Sequence, residues 1–201
     1  VDPTDAVLVY NNVNPKSALA FAVALLVCAF VLGGYVIYRA GLIPLAIGVI
    51  GAVFVVIYSA GKTPISYLPL GEGVSGIVMG GLIPLACYQV LTGVLSPLAM
   101  LWALPEILGI GLIMFTNNTC DIEKDIDAQR RTLSVLLGRT KARTLYHAIL
   151  ALWILAMIAI VGVFFTSGLI VIPFMLLSAD PLLKAMRNNP LAPQSRQAAM
   201  A

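Results

Sequence analysis

Residues 116–138 read TNNTCDIEKDIDAQRRTLSVLLG, a polar island in a chain that is 60% hydrophobic and only 10% charged. Asp121, Glu123, Asp125 and Asp127 stand there beside Lys124, Arg130 and Arg131. On a helix, residues four apart share a face with Cβ atoms about 5–6 Å apart. The spacing Asn117, Asp121, Asp125 therefore stacks one amide oxygen and two carboxylates. Magnesium takes oxygen ligands, keeps several waters and commonly binds through one or two carboxylates plus substrate phosphate. The pattern predicts a half-cage for a magnesium diphosphate, with Asn117, Asp121 and Asp125 as metal ligands and the two aspartates as the catalytic pair. Arg130 and Arg131, one or two turns further on, carry the fork geometry that suits phosphate oxygens. Glu123 and Asp127 fall off that face and are expected to pair with Lys124 and Arg131 in solvent.

Outward from the island the chain is apolar. A mean hydropathy of +0.99 over 201 residues leaves too little polar surface for a soluble globule. The apolar runs place six membrane spans, at 17–38, 42–60, 74–92, 98–116, 144–165 and 168–183. Asp180 and Pro181 interrupt the last of them. Runs apolar on all sides read as helices, because a helix satisfies its own backbone where water is absent. No alternating ten-residue strands of a barrel are seen. The expected class is all-α, a polytopic transmembrane bundle.

Charge placement orients it. If six spans alternate, Arg39 lies on one side and the other 11 of the 12 Lys and Arg lie opposite. The positive-inside tendency makes the richer side cytoplasmic, with the aspartate-rich loop there in a multi-pass protein of the cell membrane. The opening VDPTDAVLVYNN carries no basic region of a cleavable signal and no initiator methionine. Cys28, Cys87 and Cys120 have no paired or metal-ligand spacing and are expected to pack. His147 is expected as a satisfied interfacial histidine. Nucleic acid is not among the expected partners; the lipid bilayer is.

The run NNTCDIEKDIDAQRRTLSVLLGR resembles the second aspartate-rich motif of the UbiA-type intramembrane aromatic prenyltransferases, above all their naphthoate branch in menaquinone synthesis. That branch has roughly NNxxDxxxDxxxGxxTLxxxLG. Asn117, Asn118, Asp121, Asp125, Thr132, Leu133, Leu137 and Gly138 match, and Gln129 stands where the family usually has glycine. YSAGKTPISYLPLGEGVSGIVMGGLIP, residues 58–84, is similar to the loop and helix preceding the motif in the same branch. The resemblance makes Lys62, Ser66, Tyr67 and Glu72 candidates for the mouth of the site, and Asn118 a substrate contact.

The resemblance implies a nine-helix fold of which this chain carries helices three to eight. It implies two facing aspartate-rich motifs holding Mg2+ and a polyprenyl diphosphate whose tail lies in an apolar tunnel. The allylic diphosphate ionises and an aromatic acceptor attacks the cation; in the naphthoate branch carboxylate is lost as the prenyl group is gained. The first motif and the ninth helix are not found in the sequence, so residues 1–201 are expected to be a single domain cut from a longer one. A second chain supplying the first motif is then an expected partner.

Three other readings compete. An inactive or split-chain fragment needs no chemistry here. A CDP-alcohol phosphotransferase would also hold magnesium through spaced aspartates, but its adjoining DG and AR pattern is not seen. A transporter would use midplane charges and broken helices, and only Glu106 beside Pro105 has that character. Glu106 lies 11 residues before Asn117, roughly 16 Å along a helix. It is expected as a protonated, hydrogen-bonded contact within the fourth span.

Overall fold

The computed structural model describes residues 13–196, all-helical and without strands among them. They divide after Ala46 into two compact units. The first is dominated by α1, Pro15–Ala40, whose start is set by Asn14 accepting from the Lys16 amide at 2.9 Å and by Pro15 in the first turn. Gly41, at φ +84°, ends it. α1 buries none of its residues. α2 is Ile43–Ser59.

In the second unit α3 spans Gly71–Thr92. α4 is Leu98–Trp102, α5 Leu104–Cys120, α6 Ile122–Asp127, α7 Leu133–Phe164 and α8 Ile172–Asn188. Among the described residues, four helical segments, 15–40, 71–92, 133–164 and 166–188, are long and apolar enough to cross a membrane. At the other two of the six expected spans the apolar helices are shorter. α2 has 17 residues, short of the roughly 20 that cross a bilayer upright. The fourth span breaks at Ala103, where φ −81° and ψ 0° leave the helical region, and Pro105 opens α5. Proline has no N–H to continue a helix but fits a first turn.

That break corrects the reading of Glu106. It sits in the first turn of α5, exposed, with no side-chain hydrogen bond to another described residue. It is therefore at a helix N-terminus and not within a continuous span. The cysteines also divide: Cys120 is buried in the core, whereas Cys28 and Cys87 are exposed on their helices.

α3 and α5 cross with backbones nearly touching. A Cβ on Gly76 would lie 2.5 Å from the Ile107 carbonyl, and one on Gly80 2.6 Å from Ile107 Cα. Small residues four apart let helices approach in this way. Residues 76–82 widen into a π turn just before Pro84, whose ring would collide with the carbonyl four residues back in a regular helix. Gly80→Ala is expected to lower stability by about 1–3 kcal/mol through overpacking. Gly73→Ala, with open space around its Cβ, is expected to be neutral or slightly stabilising. Thermal unfolding in detergent distinguishes the two.

α5 and α7 form the core of this unit, joining Leu112, Phe115 and Cys120 to Ala142, Tyr146 and Leu150. α7 begins 11 residues before the span expected at 144 because Thr132 caps it, accepting from the Val135 amide at 3.4 Å. It then kinks at Gly138, φ +72°, a conformation that favours glycine. His147 meets the Arg187 carbonyl at 2.9 Å through Nε2, tying α7 to α8.

Candidate active site

The aspartate-rich stretch is two helices joined at Asp121. The backbone leaves helical geometry there, φ −103° and ψ 20°, ending α5 and starting α6. The ladder nevertheless steps across the joint: the Asp121 amide donates to the Asn117 carbonyl at 3.1 Å and the Asp125 amide to the Asp121 carbonyl at 2.9 Å. Asn117, Asp121 and Asp125 so remain one turn apart.

Their surroundings differ. Asp125 is 2% exposed, and both carboxylate oxygens are engaged. Arg130 Nη1 donates to Oδ1 at 2.7 Å and Thr132 Oγ1 to Oδ2 at 3.1 Å. Burial, which disfavours the charged form, pushes its carboxyl up from the ordinary value despite the Arg130 guanidinium. Asp121 is part-buried. Its Oδ2 meets Arg196 Nη1 at 2.7 Å, while Oδ1 is buried without a hydrogen-bond partner, 3.6 Å from Lys124 Nζ.

Arg130 links the motif to the 61–70 loop. Its Nη2 and Nε donate to the Ser66 carbonyl at 2.7 and 3.2 Å, and its guanidinium lies 5.5 Å from the Tyr67 ring centroid. Charge-assisted and cation–π contacts of this kind hold two loops in register. The Arg131 amide adds a bond to the Tyr67 carbonyl at 2.8 Å, but the Arg131 side chain is exposed. Ser66, Tyr67, Asp125 and Arg130 are thus brought together, with Ser66 contributing its carbonyl. Lys62 lies exposed on the loop, outside this group of contacts.

Asn118 points elsewhere. It is buried and donates through Nδ2 to Glu72 Oε1 at 2.8 Å, and Glu72 Oε2 is buried without a partner. Glu123 does not pair with Lys124 as expected. It takes two bonds from Arg139 Nη2, at 2.8 and 2.7 Å, because α7 folds back alongside α6. That bonding holds the Glu123 carboxyl below the ordinary range. Asp127 is exposed, and no ion pair joins it to Arg131 among the described residues.

The turn after α6 explains the departure at 129. Gln129 has φ +56°, the left-handed region that costs a residue with a Cβ about 1–2 kcal/mol. Gln129→Gly is expected to stabilise the fold by up to about 1 kcal/mol, after glycine's own entropy cost, read as a higher unfolding midpoint in detergent.

No group of three or more His, Cys, Asp or Glu side chains able to hold a metal occurs among the described residues. Two oxygen donors still suit a magnesium ion that keeps waters and takes phosphate oxygens. Asn117 and Asp121, one turn apart, carry such donors, and Asp121 Oδ1 makes no hydrogen bond, with Lys124 Nζ 3.6 Å away. Asp125 could join them only by giving up a bond to Arg130 or Thr132. A cavity of about 320 Å³ is lined by Leu112, Ile113, Thr116, Trp153, Met157 and Met175 among others. Thr116 lies five residues before Asp121, roughly 7 Å along the helix.

The family model of the UbiA prenyltransferase family matches residues 4–200. The chain belongs to the UbiA prenyltransferase family. It is 33% identical over 161 residues to the 1,4-dihydroxy-2-naphthoate octaprenyltransferase of Bacillus subtilis, covering 80% of this chain and 51% of the relative. The enzyme of the same name from Haemophilus influenzae is 30% identical over 72% of this chain and 48% of its own length. The human UbiA prenyltransferase domain-containing protein 1 is 30% identical over 74% and 44% respectively. The chain spans about half the length of these curated relatives. No solved structure matches it.

Arg139 and Arg196 are the residues that the sequence reading passed over. Arg139 follows the TLxxxLG match directly, which is a usable signal. Arg196 lies 75 residues from Asp121, with nothing in the spacing to connect them.

Proposed function

We propose that the UbiA segment described here serves magnesium-dependent transfer of a polyprenyl group from polyprenyl diphosphate to an aromatic acceptor, 1,4-dihydroxy-2-naphthoate, in menaquinone synthesis. The observation that carries this reading is Asp121: a carboxylate at a helix joint, with one oxygen unbonded, near an apolar cavity and backed by an arginine-bound second aspartate. Asn117 and Asp121 would hold the ion, which stabilises negative charge on the departing diphosphate when bound. Arg130, fixed by Asp125 and the Ser66 carbonyl, supplies a preorganised positive charge beside it, and such charges need no reorganisation during reaction. The apolar cavity suits an isoprenoid tail and keeps water from an allylic cation. Arg131 and Lys62, both exposed, suit a role in drawing in the diphosphate.

The site faces the cytoplasm in this reading, as the 11 to 1 basic distribution favours. A cysteine at Asp127 is expected to react with a membrane-impermeant thiol reagent only from the cytoplasmic side of sealed vesicles. The activity is tested by supplying labelled polyprenyl diphosphate and 1,4-dihydroxy-2-naphthoate to membranes of a host stripped of its own enzyme and expressing the protein that carries this segment. Product that forms with Mg2+ and disappears with a chelator is expected. Product indifferent to chelation, or none, overturns the reading.

A further inference from the structure

The chain beyond α8 folds back onto the aspartate-rich joint. Asn189 is buried and ties a tight loop, donating from Nδ2 to the Ser195 carbonyl at 3.2 Å. Its Oδ1 accepts from the Leu191 amide at 2.8 Å and from Ser195 Oγ at 2.7 Å. Leu191 is fully buried in the α5–α7 core, and its carbonyl accepts from Arg139 Nη1. The same Nη1 donates to the Thr119 carbonyl at 3.1 Å, on the last turn of α5. Residues 189–196 are thereby anchored against the very turn that presents Asp121. The anchorage ends at Arg196, whose Nη1 lies 2.7 Å from Asp121 Oδ2, with the two side chains 22% and 14% exposed.

We propose that Arg196 is a resident cation of the candidate metal site, and that a divalent ion gains the second oxygen of Asp121 only when the 189–196 strap releases it. This rests on the reading of Asp121 as a metal ligand and adds a regulatory step to it. The guanidinium stays charged at every physiological pH, so displacement is the only way it leaves the carboxylate. Oδ1 makes no hydrogen bond and has Lys124 Nζ 3.6 Å away; Oδ2 is the oxygen Arg196 occupies. When only a fraction of molecules has the strap released, apparent ion affinity falls by that fraction. A part-buried pair of this kind shifts the balance by about fivefold, given the roughly 1 kcal/mol that ion pairs contribute near a surface.

The test uses the purified 201-residue chain in lipid nanodiscs, with Mn2+ as the probe and its binding read by electron paramagnetic resonance. Arg196→Gln is expected to bind Mn2+ about fivefold more tightly than the wild type. Arg196→Lys, which keeps a cation on the strap, should stay near the wild type, and Asp121→Asn should lose binding. A second readout needs no variant. Trypsin should cut after Arg196 several-fold faster when Mn2+ is saturating, because the strap is then released. Equal Mn2+ affinity in the wild type and Arg196→Gln, weaker binding in Arg196→Gln, or an unchanged cleavage rate with Mn2+ bound each overturns the competition while leaving Asp121 as a ligand. Absence of Mn2+ binding in both chains overturns the competition and the metal reading together.

Discussion

Prenyl transfer by the protein carrying Asp121→Asn is expected to fall about 10²-fold or more, equivalent to roughly 2.7 kcal/mol of barrier, with little change in its unfolding midpoint. An amide keeps an oxygen but loses the negative charge that would hold a divalent ion, so ion affinity and leaving-group stabilisation fall together. The fold should persist because Asp121 is only part-buried and its partner Arg196 sits where water can reach it. Glu123→Gln is the control. Glu123 is close in sequence and carries the same charge, but its side chain is 65% exposed and bonded to Arg139, not to the cations around Asp121. Its loss should leave turnover within a few-fold of the wild type. Equal losses in steady-state assays of the two variants would remove the case for a special face at Asp121.

The helical class and the one-turn spacing of the candidate site residues were legible because each rests on a local rule. Long apolar runs become helices in lipid whatever packs against them, and the four-residue spacing of Asn117, Asp121 and Asp125 survives even though the helix breaks at Asp121. Breaks were harder to read. Pro105 was visible, but whether proline kinks a span or starts a new helix depends on what neighbouring backbone can accept, here the close crossing of α3 at Ile107. Side-chain pairing was the least legible, since it depends on where distant segments return. Glu123 had Lys124 beside it and took Arg139 instead, and Asp121 found a partner across the strap. The difference between the two aspartates, Asp125 with both oxygens hydrogen-bonded and Asp121 with Oδ1 left without a hydrogen bond, follows from those returns and is invisible in the spacing.

Removing Arg130 should have the largest effect on stability, and the effect should depend on pH. Arg130 is 26% exposed by side chain and Asp125 3%, so Arg130→Ala leaves a nearly sealed carboxylate with only Thr132 to bond it. Breaking a buried pair from one side costs about 3 kcal/mol, and the bonds from Arg130 to the Ser66 carbonyl and the Tyr67 ring go as well. The protein has one escape, which is to protonate Asp125. Burial already raises that carboxyl above its ordinary value with Arg130 present, and removing the cation can only raise it further. For a carboxyl whose folded value lies above its unfolded one, the unfolded state releases its proton first. Stability therefore falls as pH rises from the unfolded value, about 3.9, through the folded one. Arg130→Ala should accordingly be nearest the wild type in mild acid and furthest from it at neutral pH, while Arg130→Ala combined with Asp125→Asn should recover part of the neutral-pH loss. Unfolding midpoints in detergent from pH 4 to 8 measure this directly. A deficit of constant size across that range would mean that the lost loop contacts, and not the stranded Asp125 charge, account for the destabilisation.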